Sequence, residues 1–127
     1  MNLKVWIPNE RGDMEAESKS KKDVVRVRAE PGICGFSCKV EAHRTGRYTV
    51  SVEIKGSECE RAQHLSSLLE KMSMKDLFVP VTRNPVFLAS EKAGCHPSCP
   101  IPVAILKAAE VAMNMAIAKE VLISFRP

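Results

Sequence analysis

Two of the chain's five cysteines and one of its three histidines fall within Gly94-Cys95-His96-Pro97-Ser98-Cys99-Pro100-Ile101-Pro102. Three of the eight prolines lie in the same nine residues, and the most hydrophobic run of the chain, residues 103–117, follows directly. A proline-stiffened, thiol-bearing loop therefore feeds the start of a long buried helix. The first turn of a helix presents unpaired N–H groups and a partial positive charge, and both favour thiolate over thiol. The chemistry open to such a loop is metal ligation, or sulfur transfer and thiol redox without a metal.

The other cysteines decide how far that reading extends. Cys34 follows the Pro31-Gly32 turn at one end of a predicted sheet. Cys59 falls in the first turn of a predicted helix, where Ser57 and Glu60 have the spacing of a capping box. Cys34, Cys59, Cys95 and Cys99 thus all sit at element ends, from which side chains of distant segments can converge. Four soft, anionic sulfurs suit zinc or an iron–sulfur cluster. Gly35 would let backbone approach a bulky cluster, and the Cys99-Pro100 step also ends the bacterial ferredoxin ligand run. Against this, three residues separate Cys95 from Cys99, where zinc ribbons have two, and the plainest alternative is a set of unrelated reduced thiols in a non-catalytic interaction domain. Cys38 shares strand parity with Val40 and Ala42 and reads as a small core residue. His96 could replace a sulfur but reads as a bystander, and His43 and His64 read as surface residues without partners.

The elements that must position these thiols follow from periodicity. Leu3, Val5 and Ile7 alternate ahead of Pro8, which limits them to an edge strand, and residues 9–23 read as a polar linker. Residues 1–23 are therefore set apart from a single domain over 24–127. Val25, Val27 and Ala29 alternate with Arg26 and Arg28, predicting a half-buried strand. A second strand runs over residues 37–43, the Arg44-Thr45-Gly46-Arg47 hairpin turn follows, and a third strand over 48–54 points Tyr48, Val50, Val52 and Ile54 inward. The period then lengthens: Ala62, Leu65, Leu68, Leu69 and Met72 make one helical stripe, and Ser73 with Asp76 opens a shorter helix to Phe78. Asn84-Pro85 and Gly94 bracket a helix over 85–93, and the last helix runs from Pro100 or Pro102 to about Ala116. Val121, Ile123 and Phe125 alternate again as a final strand. The expected fold class is α+β, an antiparallel sheet of three to four strands with helices packed on one face.

Bulk properties exclude several functions. The net charge of +4 permits an acidic partner without demanding one, and 5% aromatic residues is too few for a base-stacking surface, which disfavours nucleic acid. No apolar run approaches the roughly 20 residues of a membrane span. The first residues, Met-Asn-Leu-Lys-Val-Trp-Ile, lack the apolar core of a secretory signal, so a cytoplasmic setting is expected. In a reducing compartment five cysteines are more often metal-bound, catalytic or free than disulfide-bonded. No Gly-rich phosphate loop and no hydrolase arrangement is visible, and the residues name no reaction and no protein partner.

Two resemblances add to this. Cys99-Pro100-Ile101-Pro102 is similar to the Cys-Pro-x-Pro motif of the TusA/SirA-like sulfur carriers, which sits at a helix start and whose cysteine carries a persulfide. That resemblance implies Cys99 as a sulfur-carrying, catalytic thiol; in the sulfur-transfer or redox alternative Cys95 would be its resolving thiol. The chain from Val24 to Phe125 also resembles an uncharacterised family of small cysteine-containing domains from anaerobic bacteria and archaea. The resembling pieces are Glu30-Pro31-Gly32-Ile33-Cys34-Gly35-Phe36, the Cys59 helix start, and Cys95 through Lys107-Ala108-Ala109-Glu110-Val111-Ala112. This second resemblance implies Cys34, Cys59, Cys95 and Cys99 as the site residues, no counterpart to Cys38, and an oxygen-sensitive iron–sulfur cluster ahead of zinc.

Overall fold

The computed structural model describes residues 5–8, 14–17, 24–32, 35–57, 59–69 and 71–127. Strands β1 (Val5–Pro8) and β2 (Met14–Glu17) pair antiparallel, Val5 opposite Glu17 and Pro8 opposite Met14. The first matches the expected strand. The second lies inside the stretch expected to be only a polar connection.

The domain proper is a four-stranded antiparallel sheet in the order β3 (Val24–Ala29), β4 (Cys38–Arg44), β5 (Thr49–Lys55) and β6 (Lys71–Ser73). Its register puts like with like. Val27 faces Val40, which faces Ile54, and Ala42 lies between Val25 and Val52. Because side chains alternate across a strand, Cys38, Val40, Ala42, Val50, Val52 and Ile54 all reach the same face and are buried there. The opposite face is open to water and carries charges. Glu41 receives Arg26 at 3.4 Å and Lys55 at 3.3 Å across neighbouring strands. Exposed pairs of this kind contribute little individually; they mark the face as solvated.

Three helices cover the apolar face: α1 (Glu60–Leu68), α2 (Pro85–Ala93) and α3 (Ile101–Ala112). α3 lies across β3, β4 and β5, α1 lies on β5, and α2 packs against both helices. The expected α+β fold with helices on one face is therefore the fold observed. Cys38 is 2% exposed within the core, as its strand parity requires.

Four local expectations are corrected. The fourth strand is β6, not residues 121–125. Residues 117–127 form no regular element, and Val121, Ile123 and Phe125 are exposed, since among the described residues no strand pairs with them. The stripe assigned to one helix is divided, because α1 stops at Leu68 and the chain returns to the sheet with Met72 buried opposite Val50. Tyr48 belongs to the hairpin turn and faces solvent, with the Arg47 guanidinium 5.6 Å from its ring. The helix expected from Ser73 is a single 3-10 stretch, Met74–Phe78, with the Ser73 N–H donating to the Asp76 carboxylate at 2.9 Å.

Asn84 anchors the helical layer. It is buried, its Oδ1 accepts from the Val86 N–H at 2.9 Å, and its Nδ2 donates to the carbonyls of Asp76 and Val79, each at 2.9 Å. One side chain caps α2 and ties it to the preceding turns. Asn84→Ala removes the cap and leaves buried carbonyls without donors, so a loss of about 2–4 kcal/mol is expected in urea unfolding. Asn84→Asp keeps the acceptor but sets a carboxylate against two carbonyls, and it should recover only part of that loss.

Candidate cysteine site

Each thiol is placed by a helix end. Cys59 is the N-cap of α1, with extended backbone and no side-chain cap of its own. The spacing of Ser57 and Glu60 as a capping box predicts it two positions deeper, inside the first turn. Instead, the Ser57 hydroxyl accepts from the Cys59 N–H at 3.1 Å, and the Gln63 amide donates to the Ser57 carbonyl at 2.7 Å. These bonds hold the approach to α1 while leaving the Cys59 sulfur outside the helix.

Cys95 is fixed by the way α2 ends. Gly94 adopts φ +81°, a left-handed conformation that other residues adopt only with strain. The Gly94 N–H bonds to the Glu91 carbonyl at 3.1 Å and the Cys95 N–H to the Ser90 carbonyl at 3.0 Å, the paired bonds of a Schellman ending. Four residues later the Cys99 N–H bonds to the His96 carbonyl at 3.1 Å, closing a turn that delivers Cys99 to the start of α3. Pro100 is the N-cap of that helix and Pro102 lies in its first turn, where a missing N–H costs nothing.

Because the three helices pack on one another, these ends meet. Cys59, Cys95 and Cys99 line one cavity of about 100 Å³ together with Phe36, Arg61, Ala62, His96 and Ile101. That volume is well below the 300–1,000 Å³ of typical organic-ligand pockets. Of the four predicted site residues, three are brought together. Cys34 lies outside the described residues. Phe36, two positions beyond it, forms part of the cavity wall, and the Gly35 N–H closes a turn on the Gly32 carbonyl at 3.0 Å, with both glycines at positive φ. His43 and His64 are exposed and away from this cavity, as expected, while His96 contributes to its rim.

The electrostatics follow from proximity. The Cys95 thiol is pushed above its ordinary value of 9.0, first by burial, next by the neighbouring Cys99 and Cys59 sulfurs, whose charge would repel its own, and then by a side-chain hydrogen bond with Cys99. Arg61 opposes these effects. Its guanidinium was not singled out by sequence. The signal available was its position two residues after Cys59, and the structure sets it beside α2's C-terminus, where a Cβ on Gly94 would lie 3.7 Å from the Arg61 Nε. Phe36 was missed for the same reason, since nothing local tells an apolar loop residue that it walls a site. Among the described residues, no three His, Cys, Asp or Glu side chains are arranged to hold a metal ion. Among them, too, no helix is long and apolar enough to cross a membrane.

The fold and the site define a class: a small α+β domain with thiols gathered where three helix ends meet. Residues 25–125 match DUF6951, a family of unknown function, and the chain belongs to that family. No curated protein and no solved structure matches it.

The raised Cys95 pKa has a definite consequence for stability. The folded chain binds this proton more tightly than the unfolded chain. Its contribution is therefore full below 9.0 and is lost as pH rises through the raised value. Urea unfolding followed from about pH 7 to about pH 10 should show stability falling above the ordinary cysteine range, and Cys95→Ala should flatten that fall.

Proposed function

We propose that this protein is a cysteine-ligated metal-binding module, with Cys59, Cys95 and Cys99 as three ligands and Cys34 as the fourth, holding an iron–sulfur cluster or, second, zinc. The observation that carries the reading is that three sulfurs from three different helix ends share one small cavity, beside a loop that bears a fourth cysteine two residues from the cavity wall. Thiolate ligands suit both groups, and the cavity excludes an organic cofactor of ordinary size. Ligation requires the thiols to lose their protons and the Cys95–Cys99 hydrogen bond to open, so binding would release protons and strengthen with pH. A cation would also reverse the like-charge repulsion that holds Cys95 protonated.

A second reading rests on a specific contact. The Cys95 and Cys99 side chains are hydrogen-bonded to each other, and Cys99 stands immediately before α3. A hydrogen-bond donor and a helix N-terminus both favour the thiolate form of the acceptor. Cys99 would then act as a sulfur carrier or redox thiol with Cys95 resolving it.

Anaerobic purification with metal analysis and an absorption spectrum tests the first reading. A brown, iron- and sulfide-containing protein, or a colourless one with stoichiometric zinc, is expected. Serine at any one of Cys34, Cys59, Cys95 or Cys99 should sharply lower occupancy, and Cys38→Ala should leave it intact. Protein that stays metal-free after anaerobic reconstitution with iron and sulfide, and with zinc, would overturn it. A persulfide found on Cys99 by mass spectrometry, and absent from Cys99→Ser, would move the assignment to the second reading.

A further inference from the structure

The segment after α3 carries the strongest unused signal in the molecule. Phe125 is 98% exposed, Ile123 84% and Leu122 80%, in a stretch whose alternation is that of a half-buried strand. Isolated exposed apolar residues are normal, but consecutive ones mark a surface that is covered in use. The same chain has an edge of matching character. β6 pairs with Thr49–Ser51 of β5, and beyond it the Ile54 N–H is taken by the Ser66 hydroxyl at 3.0 Å, so that side of the sheet is largely closed. On the other side β3 pairs only with β4 among the described residues.

The pairing direction of β3 can be worked out. Since the Ile54 N–H points away from β4, the even-numbered residues of β5 face outward and the odd-numbered ones bond to β4. It follows that Val25, Val27 and Ala29 bond to β4, while the backbone groups of Val24, Arg26 and Arg28 face the open edge. Val25 and Val27 point to the core face but are only half-buried there, because the apolar layer ends with them.

We propose that residues 121–125 of a second copy of this chain add as a fifth strand to the outer edge of β3, reciprocally, in a two-fold dimer. In an antiparallel pairing that sets Val121 against Val27 and Ile123 against Val25, the apolar face continues without a break. On the solvent face, Glu120, the sole acidic residue in 114–127, comes opposite the exposed Arg28. The occupant is a second copy because strand and edge belong to the same chain and the segment stands clear of its own fold. Two such additions bury on the order of 1,000 Å² or more, given the roughly 150–250 Å² of each aromatic alone, which reaches the size of a specific interface. Closing both edges at once also removes the aggregation hazard of an open strand.

Light scattering on the full chain at micromolar concentration tests this. The expected mass is that of a dimer. Substituting Ile123→Lys and Phe125→Lys together should halve it with an unchanged far-UV spectrum, because both side chains lie outside the monomer's core. Arg26→Pro, which removes an N–H from the open edge and none from the β3–β4 ladder, should halve it too. Hydrogen exchange should show the Arg26, Arg28, Glu120 and Leu122 amides protected in the dimer. A monomeric full chain overturns the proposal, including one whose tail amides are protected against its own sheet. So does a dimer whose mass survives the double lysine substitution.

Discussion

The cysteine cluster depends on where three short helices begin and end. Nine residues separate Asn84 from Gly94, and each limit of α2 is set by a specific device: a buried amide cap at one end and a left-handed glycine at the other. Extending α2 by one residue would rotate Cys95 by about 100° around the helix axis, away from Cys99 and Cys59. The Schellman bonds prevent that, since the Cys95 N–H is already committed to the Ser90 carbonyl. The buried face of α2 consists of Val86, Ala89, Ser90 and Ala93, small enough for close approach to its neighbours. The Ser90 hydroxyl is satisfied by the Val86 carbonyl at 2.7 Å, so burying it leaves no orphaned donor. Thiol geometry is thus inherited from backbone geometry at the helix ends.

What was legible in the sequence is what local chemistry dictates. Alternation placed Cys38 in the core, and Asn84-Pro85 with Gly94 bracketed α2, because caps and breakers act within a few residues of themselves. Convergence of Cys59, Cys95 and Cys99 was an inference from element ends, and the fold supplies it through helix packing that no local pattern encodes. Each misreading has its own cause. Met72 fits the spacing of the α1 stripe and also the inward parity of a strand, and three residues cannot distinguish the two periods; pairing with Val50 decides it. Cys59 was placed too deep because Ser57 has the spacing of an N-cap, whereas its hydroxyl bonds two residues on, to Cys59, and delays the helix start. Residues 121–125 have strand composition, but composition does not provide a neighbour to pair with. Arg61 and Phe36 were invisible because their importance is wholly tertiary.

The charge balance of the site limits what it can do. Three thiols at one cavity are tolerable while protonated, since a neutral thiol behaves as a small hydrophobe. Ionising one makes the next harder to ionise, an effect that adds to burial in raising the Cys95 thiol. Among the described residues lining the cavity Arg61 is the one with a permanent positive charge, and it is exposed, so water weakens its hold on the sulfurs. A site built only to keep one reactive thiolate would need one cysteine and a well-placed cation; the further sulfurs raise the cost of that thiolate. They are useful where several thiolates are neutralised together by a bound cation, or where a second thiol must stand within bonding reach of the first. The Cys95–Cys99 contact satisfies the latter, and Cys59, arriving from a different helix, is the residue that only the former requires.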